Sequence, residues 1–266
     1  MNAKTFKISV ITVCFNSLET IAGCLGSVLA QDYENFEYIV LDGGSTDGTI
    51  EIIEAHRDGI AHFQSEPDLG LYYAMNKALS LAKGEWVLFL NSDDRLTDSK
   101  TLSKAAPFLK KRGCNYYGIA EVLYDGSSLY QKPKNLQPIN FERDLPIHQT
   151  VFISSAFRNK RFDTCYRIAA DSIYLYELSK ISEFRLIPLQ IACFELGGVS
   201  SWHPNFASYA LHLKEHLALL NLRKSSLITF TYTILAFTTK FFLSKILSKQ
   251  SYFKMVAHVT QLIPRR

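Results

Sequence analysis

The chain reads as an α/β protein built on a mostly parallel, Rossmann-like sheet with helices on both faces. Two observations predict this. Over the first hundred residues strand-like and helix-like runs alternate, and the strand-like runs are apolar without clean alternation, as strands buried on both faces are. A third locates the chemistry: ring and carboxylate side chains stand where those runs end, and sheets of this kind bind ligands at the carboxyl ends of their strands.

The elements follow in order. "ISVITVCF" is the first strand and ends at an aromatic ring, Phe15; "TIAGCLGSVLAQ" is the helix behind it. "FEYIVLD" is the second strand, ending at Asp42 in "DGGSTDGT", where Ser45, Thr46 and Asp47 are candidate caps for the helix "TIEIIEAH". "LYYAMNKALSLA" is the next helix, and the strand "EWVLFL" stops abruptly in "NSDD". From about residue 115 to 162 the rhythm changes to shorter Tyr- and Pro-rich pieces that suggest hairpins or irregular strands. "CYRIAADSIYLYELSK" returns to a helical pattern, and "FELGGVSSWH" is glycine-punctuated and loop-like.

The bulk numbers suit a folded globular protein. At 266 residues with 47% apolar and 20% charged content, the chain has the composition of an ordinary globular protein. Its five cysteines are widely spaced with no CxxC or Cys/His zinc spacing, and read as reduced, mostly buried side chains; Cys14 is core filler near a pocket. "MNAKTFK" runs straight into the first strand without a signal-peptide core, so the catalytic part is expected in the cytosol.

Asp93 and Asp94 pose the chemical question. Two adjacent carboxylates at the end of a buried strand repel unless a cation is shared, and Mg²⁺ or Mn²⁺ usually brings substrate phosphates with it. A solvated turn opening the next helix is the other reading of the pair, since Asp and Asn crowd turns for local hydrogen-bonding reasons.

Other segments add weight to the first reading. "SVITVCFN", "VLDGGSTDGT", "SEPDLGLYYAMNKALSLAKGEWVLFLNSDD" and "AAD" occur in the order and near the spacing of the family 2 glycosyltransferases of the GT-A fold. In "SEPDLGLYYAMNKAL" and "HQTVFI" the chain resembles bacterial enzymes that build capsule, exopolysaccharide or O-antigen, the colanic-acid-type transferases among them. The resemblance spans roughly residues 6 to 200. It implies a GT-A catalytic domain over 1–204, with a nucleotide-binding half to about 114 and an acceptor half from 115, followed by a helical extension over 205–266.

The resemblance also implies roles, residue by residue. Phe15 stands where the family usually has a tyrosine that stacks on the nucleotide base, and Asp42 matches the carboxylate that hydrogen-bonds the base. Asp93 resembles the residue at the ribose or the metal shell, and Asp94 the direct ligand of Mn²⁺ or Mg²⁺ on the diphosphate; Asn91 replaces the motif's usual first acid. Many relatives carry an arginine near "AMNKA" that reaches the phosphates, whereas this chain has Asn76 and Lys77. Asp171 stands in place of the family base, with Ala170 where a preceding acid is common, and it is also a plausible helix cap. His148 and Gln149 match an acceptor-side His-Gln pair, and His203 falls in a loop where some relatives place a histidine near metal or diphosphate.

The reaction implied is inverting transfer of a sugar from a nucleotide-diphosphate donor, UDP first, to a glycan or polyprenyl-diphosphate-linked acceptor in bacterial surface polysaccharide synthesis. A nucleotidyltransferase would need a glycine-rich basic phosphate loop after the first strand, which "CFNSLETIAGC" lacks. A non-catalytic binding module is disfavoured by the presence of both Asp94 and Asp171.

The tail differs in kind. From Lys214 onward there are nine Lys or Arg against one acid, Glu215, so a charge of +8 follows a remainder of −4. "SSLITFTYTILAFTT" is uncharged, and Lys240 interrupts its continuation. On a helix, Thr229, Thr233, Ala236, Lys240 and Ser244 form a weakly polar stripe, with Phe230, Ile234, Phe237 and Phe241 on another face. That suits a helix lying in the inner face of the membrane better than a nucleic-acid groove, so the expectation is a cytoplasmic enzyme held peripherally at the inner membrane.

Overall fold

The computed structural model describes residues 7–133, 138–198 and 205–262. Its centre is a sheet of nine strands in the order β3-β2-β1-β4-β8-β6-β9-β5, with β7 paired to β6. The strands are β1 (Ile8–Cys14), β2 (Phe36–Asp42), β3 (His62–Ser65), β4 (Trp86–Phe89), β5 (Arg95–Leu96), β6 (Cys114–Tyr124), β7 (Ser127–Lys132), β8 (Val151–Ser154) and β9 (Glu183–Glu195). The helices are α1 (Ile21–Leu29), α2 (Thr49–Ala55), α3 (Leu71–Leu81), α4 (Thr101–Ala105), α5 (Ala170–Ile181), α6 (Phe206–Leu222), α7 (Leu227–Ile246) and α8 (Lys249–Leu262).

The first four strands run parallel, β3 on β2, β2 on β1 and β1 on β4, so β1 and β2 end side by side at Cys14 and Asp42. Burial on both faces explains the missing alternation. Along β1, Ile8 and Val10 enter one core while Ile11 and Val13 enter the other. Helices α1 and α3 seal opposite faces: Ile21, Leu25 and Val28 belong to the first core, Met75, Ala78 and Leu79 to the second. At the strand starts the backbone approaches so closely that a Cβ on Gly84 would lie 2.5 Å from the Ser9 nitrogen, which only glycine tolerates.

In the second half, β8 enters antiparallel between β4 and β6, and β6–β7 is the hairpin the Tyr-rich stretch suggests. The 13-residue strand β9 was not legible, because charged residues at its start and Pro188 in its middle mask it. It pairs parallel with β6 and shifts register between Tyr117 and Ile119, beside that proline, where a missing N–H is tolerated. The free cysteines Cys14, Cys24 and Cys114 are buried, Cys193 is partly so, and Cys165 is exposed.

The expected boundary near 204 falls outside the described residues. Beyond it, α6 sends Leu219 into the second core, so this helix packs as part of the catalytic half. Helix α7 lies on α6 through Tyr209–Phe241 and His216–Phe237 ring contacts at 4.7 and 5.1 Å. Its faces are arranged opposite to those of an ordinary surface helix. Thr233 and Ser244 of the weakly polar stripe are buried, while Ile228, Tyr232, Leu235, Phe242 and Ile246 form an exposed apolar stripe. By length and composition α7 is apolar enough to cross a membrane.

Candidate active site

The loops after β1 and β2 are laced together. Asn16 takes a left-handed backbone, φ 47°; its N–H donates to Ser45 Oγ at 2.7 Å, and its Oδ1 accepts the Thr46 N–H at 3.1 Å. Asp47 completes the lacing, accepting the Leu18 N–H at 3.0 Å and, at the start of α2, the Thr49 N–H at 3.1 Å. Asp42 lies beneath this loop. Its carboxylate accepts the Gly44 and Ser45 N–H groups at 3.0 and 2.9 Å and the Ser45 and Ser65 hydroxyls at 2.5 and 2.7 Å. Burial alone would raise its pKa, yet those hydroxyls and amides hold it below the ordinary value. The Cys14 thiol donates to the same carboxylate at 3.5 Å and is pushed far up by burial, as befits a core cysteine.

Above Asp42 stands Phe15, 61% exposed. A Cβ on Gly43 would meet its ring at 3.3 Å and the Asp68 carboxylate at 3.0 Å, so ring and carboxylate flank the bare Gly43 backbone. Asp68 was not singled out in the sequence; its signal was the glycine two residues on, whose N–H it accepts at 2.7 Å.

At the end of β4 the two aspartates have different surroundings. Asp94 is wholly buried, with Gln149 Nε2 donating to one oxygen at 2.6 Å and the Glu195 N–H to the other at 3.1 Å. Burial and then the charge of Asp93 push its pKa well above the ordinary carboxylate range. Asp93 keeps partial exposure; burial raises its pKa too, with the charge of His148 opposing. The turn after β9 closes over it, since a Cβ on Gly198 would lie 3.0 Å from its Oδ2. Ser92 ties this turn to the first loop through a 2.8 Å hydrogen bond with Ser17, and Asn91 Oδ1 is a buried acceptor without a hydrogen-bond partner among the described residues.

These donors fit a hard cation: a partly exposed carboxylate, a second carboxylate behind it and an unused carbonyl oxygen in one turn. Among the described residues no group of three or more His, Cys, Asp or Glu side chains gathers to hold a metal alone. Such an ion would take its other ligands from a substrate.

Asp171 opens α5. Its Oδ2 accepts from His148 Nδ1 at 2.8 Å and its Oδ1 from the Tyr72 hydroxyl at 3.3 Å, with 20% of its side chain and 13% of that of His148 exposed. Burial would raise its pKa, but the His148 hydrogen bond and charge bring it below the ordinary value. An ionised carboxylate is acceptor-only, so Nδ1 donates to it, while Nε2 is buried without a hydrogen-bond partner among the described residues. His148 and Gln149 are neighbours in one 3₁₀ turn before β8. One therefore holds Asp171 and the other Asp94, so this turn joins two carboxylate centres that lie 77 positions apart in the chain.

The remaining expected residues stand elsewhere. Asn76 engages both ends of its amide with the Phe162 backbone, at 2.9 and 2.8 Å, and Lys77 pairs with Glu66. Neither is drawn into the cluster of Asp93, Asp94 and Asp171. His203 lies outside the described residues.

Residues 9–177 match the model of the family described as glycosyl transferase family 2. The glycosyltransferase Rv1514c of Mycobacterium tuberculosis is 31% identical over 205 residues, 73% of this chain and 77% of that one. The structure of S. aureus TarS residues 1–349 in complex with UDP-GlcNAc shares the fold with a TM-score of 0.66 at 22% identity, over 95% of this chain and 79% of that one. The mannosyltransferase PcManGT of Pyrobaculum calidifontis, in complex with GDP-Man and Mn²⁺, shares it with a TM-score of 0.61 at 17% identity, over 98% and 81%.

Proposed function

The chain belongs to glycosyl transferase family 2 and is a glycosyltransferase, and from that premise we propose that it transfers a sugar with inversion from a nucleotide-diphosphate donor, a UDP-sugar first, to a glycan or polyprenyl-diphosphate-linked acceptor in bacterial surface polysaccharide synthesis. The observation that carries this reading is the His148-Gln149 turn, which holds Asp94 and Asp171 in one site.

The exposed Phe15 ring offers a face for the base, with Asp68 beside it. Asp42 acts from beneath: its oxygens are engaged by its own loop, so it shapes the base pocket through the Gly43–Ser45 backbone. Asn76 and Lys77 support the pocket from α3 through Phe162 and Glu66. Asp93, the partly exposed acid, would hold Mn²⁺ or Mg²⁺ from the protein side, with Asp94 as the buried charge behind it and Asn91 as a neutral neighbour. When bound, such an ion supplies charge stabilisation to the departing diphosphate. The TarS and PcManGT complexes with nucleotide sugars, and the Mn²⁺ of the latter, support both assignments.

Asp171 is the base. Held ionised, it takes the proton of the acceptor hydroxyl as that oxygen attacks the anomeric carbon opposite the leaving diphosphate. His148 orients it by donating from Nδ1 and faces the acceptor side.

The tail meets the membrane. The exposed apolar stripe of α7, flanked by Arg223 and Lys224 before it and Lys245, Lys249 and Lys254 at its end, suits the anionic inner leaflet, where a lipid-linked acceptor resides. Burial of Thr233 and Ser244, with Phe237 and Phe241 held on α6, favours a helix lying in the interface over one that spans.

The test is a screen for nucleotide release from UDP-, GDP- and dTDP-sugars, each with and without Mn²⁺, run beside Asp171→Asn. We expect one donor class to turn over, metal to be required, and Asp171→Asn to lower the rate by about 10²–10⁴-fold while nucleotide still binds. Product of retained anomeric configuration, read by NMR, would overturn the single displacement.

A further inference from the structure

Helix α5 begins without a side-chain cap of its own at Ala169. The three backbone N–H groups that precede it, on Arg167, Ile168 and Ala169, instead all donate to one carboxylate, that of Glu215 on α6, at 2.9 Å each. Glu215 is 3% exposed and is the one acid in the basic tail. A buried carboxylate is costly unless hydrogen-bonded, and an anion at a helix N-terminus also answers the helix dipole, so this contact is an anchor with its charge compensated.

The same short loop is gripped from the opposite side. The Tyr72 hydroxyl of α3 donates to the Ile168 carbonyl at 2.7 Å and reaches Asp171 at 3.3 Å. Ile168 is therefore fixed at its N–H by α6 and at its carbonyl by α3, three residues before the proposed base. Rotation of that loop would move Asp171 away from His148 and from an acceptor.

We propose that Glu215 is a positioning residue of the transfer reaction: acting through the 167–169 backbone, it sets the place of the Asp171 carboxylate. The inference rests on the reading of Asp171 as base. Misplacement of a reacting group by about 1 Å costs roughly 10²-fold in rate, so loss of this anchor should act on turnover and leave the nucleotide pocket alone.

The test is Glu215→Gln, which keeps the shape but turns an NH₂ group toward N–H donors and so cannot make all three bonds. With the donor selected by the screen above, kcat should fall about 10–100-fold, KM for the donor should stay within about two-fold, and UDP should bind with wild-type affinity in the presence of Mn²⁺. Deuterium uptake should rise in peptides covering 165–175 and nowhere in β1–β4. Tyr72→Phe, releasing the loop from the other side, should lower kcat as well, and the double variant should lose less than the product of the two. Wild-type kcat in Glu215→Gln with Asp171→Asn inactive overturns the proposal alone, as does a loss of UDP affinity equal to the loss of rate. Wild-type kcat in Asp171→Asn overturns the base assignment and the proposal with it.

Discussion

Replacing Asp94 by asparagine should make the metal-free protein more stable and abolish its activity. Asp94 is wholly buried, its carboxylate is met by the Gln149 amide and the Glu195 N–H, and the charge that acts on it most is the neighbouring carboxylate of Asp93. Burial and Asp93 raise its folded pKa well above the ordinary 3.8. The sign follows. Between the unfolded value and the raised folded one, the folded state binds more protons, so stability falls as pH rises through that window and the loss is complete above it. Above the raised folded value, the metal-free fold carries an ionised group met only by two neutral donors.

Asparagine removes that charge and keeps the bond from Glu195, while Gln149 can turn its amide so that Oε1, now a buried acceptor without a partner, meets the new NH₂. Removing buried ionic groups stabilises by about 1–4 kcal/mol where the replacement fits. Taking about 2 kcal/mol, and about 2–4 °C per kcal/mol for a chain of this size, the melting temperature in EDTA should rise by about 4–8 °C. The assay is thermal unfolding of wild type and Asp94→Asn in EDTA from pH 4 to 8, then with Mn²⁺ and UDP. The gap should widen with pH in EDTA and shrink when Mn²⁺ and UDP stabilise wild type more than the variant. A variant less stable than wild type at pH 7 in EDTA would refute the account of an uncompensated charge.

Two further outcomes are expected. His216, packed on Phe237 with its pKa brought down to about 4 by burial, binds its proton more readily when unfolded, so acidification from pH 6.5 toward 4 should cost up to about 3 kcal/mol; urea unfolding at pH 7.5 and 5 should show the loss, and His216→Phe should remove it. Ile228 and Leu235 are 81% and 65% exposed on α7, so Ile228→Asp with Leu235→Asp should abolish co-sedimentation with phosphatidylglycerol vesicles at low salt and leave the melting temperature unchanged; loss of a dimer in light scattering instead would assign that face to a second copy.

The parts legible in the sequence are those whose signal is local. The parallel half of the sheet was visible because apolar runs of strand length alternate with helical ones, and Phe15, Asp42, Asp93 and Asp94 were visible because each ends such a run. Which of two adjacent aspartates faces solvent was not. The pair sits in a turn, with the Asp94 N–H donating to the Asn91 carbonyl, and the distant Gln149 decides that Asp94 is buried while Asp93 keeps access. Periodicity found two stripes on α7, yet Thr233 and Ser244 of one are buried and Phe237 and Phe241 of the other pack on α6, so the exposed apolar stripe is a third face that was not read. The choice of face belongs to α6, whose Tyr209 and His216 receive Phe241 and Phe237 and leave Ile228, Leu235 and Ile246 outside.

The contacts that assemble the site were the least visible, because they join residues far apart in the chain. Gln149 reaches Asp94 across 55 positions and Glu215 reaches Ile168 across 47. Each places a polar group in the interior where an unmet partner would be costly, so each fixes a geometry that apolar packing alone would leave loose. Asp94 and Asp171 are carboxylates on separate elements, tied together by a two-residue turn on one side, while a carboxylate from the basic tail holds the loop before Asp171 on the other. The tail thereby joins the catalytic sheet: through Glu215 it enters the network that holds the loop before Asp171, and a truncation before α6 should release residues 167–169 even where the sheet still folds.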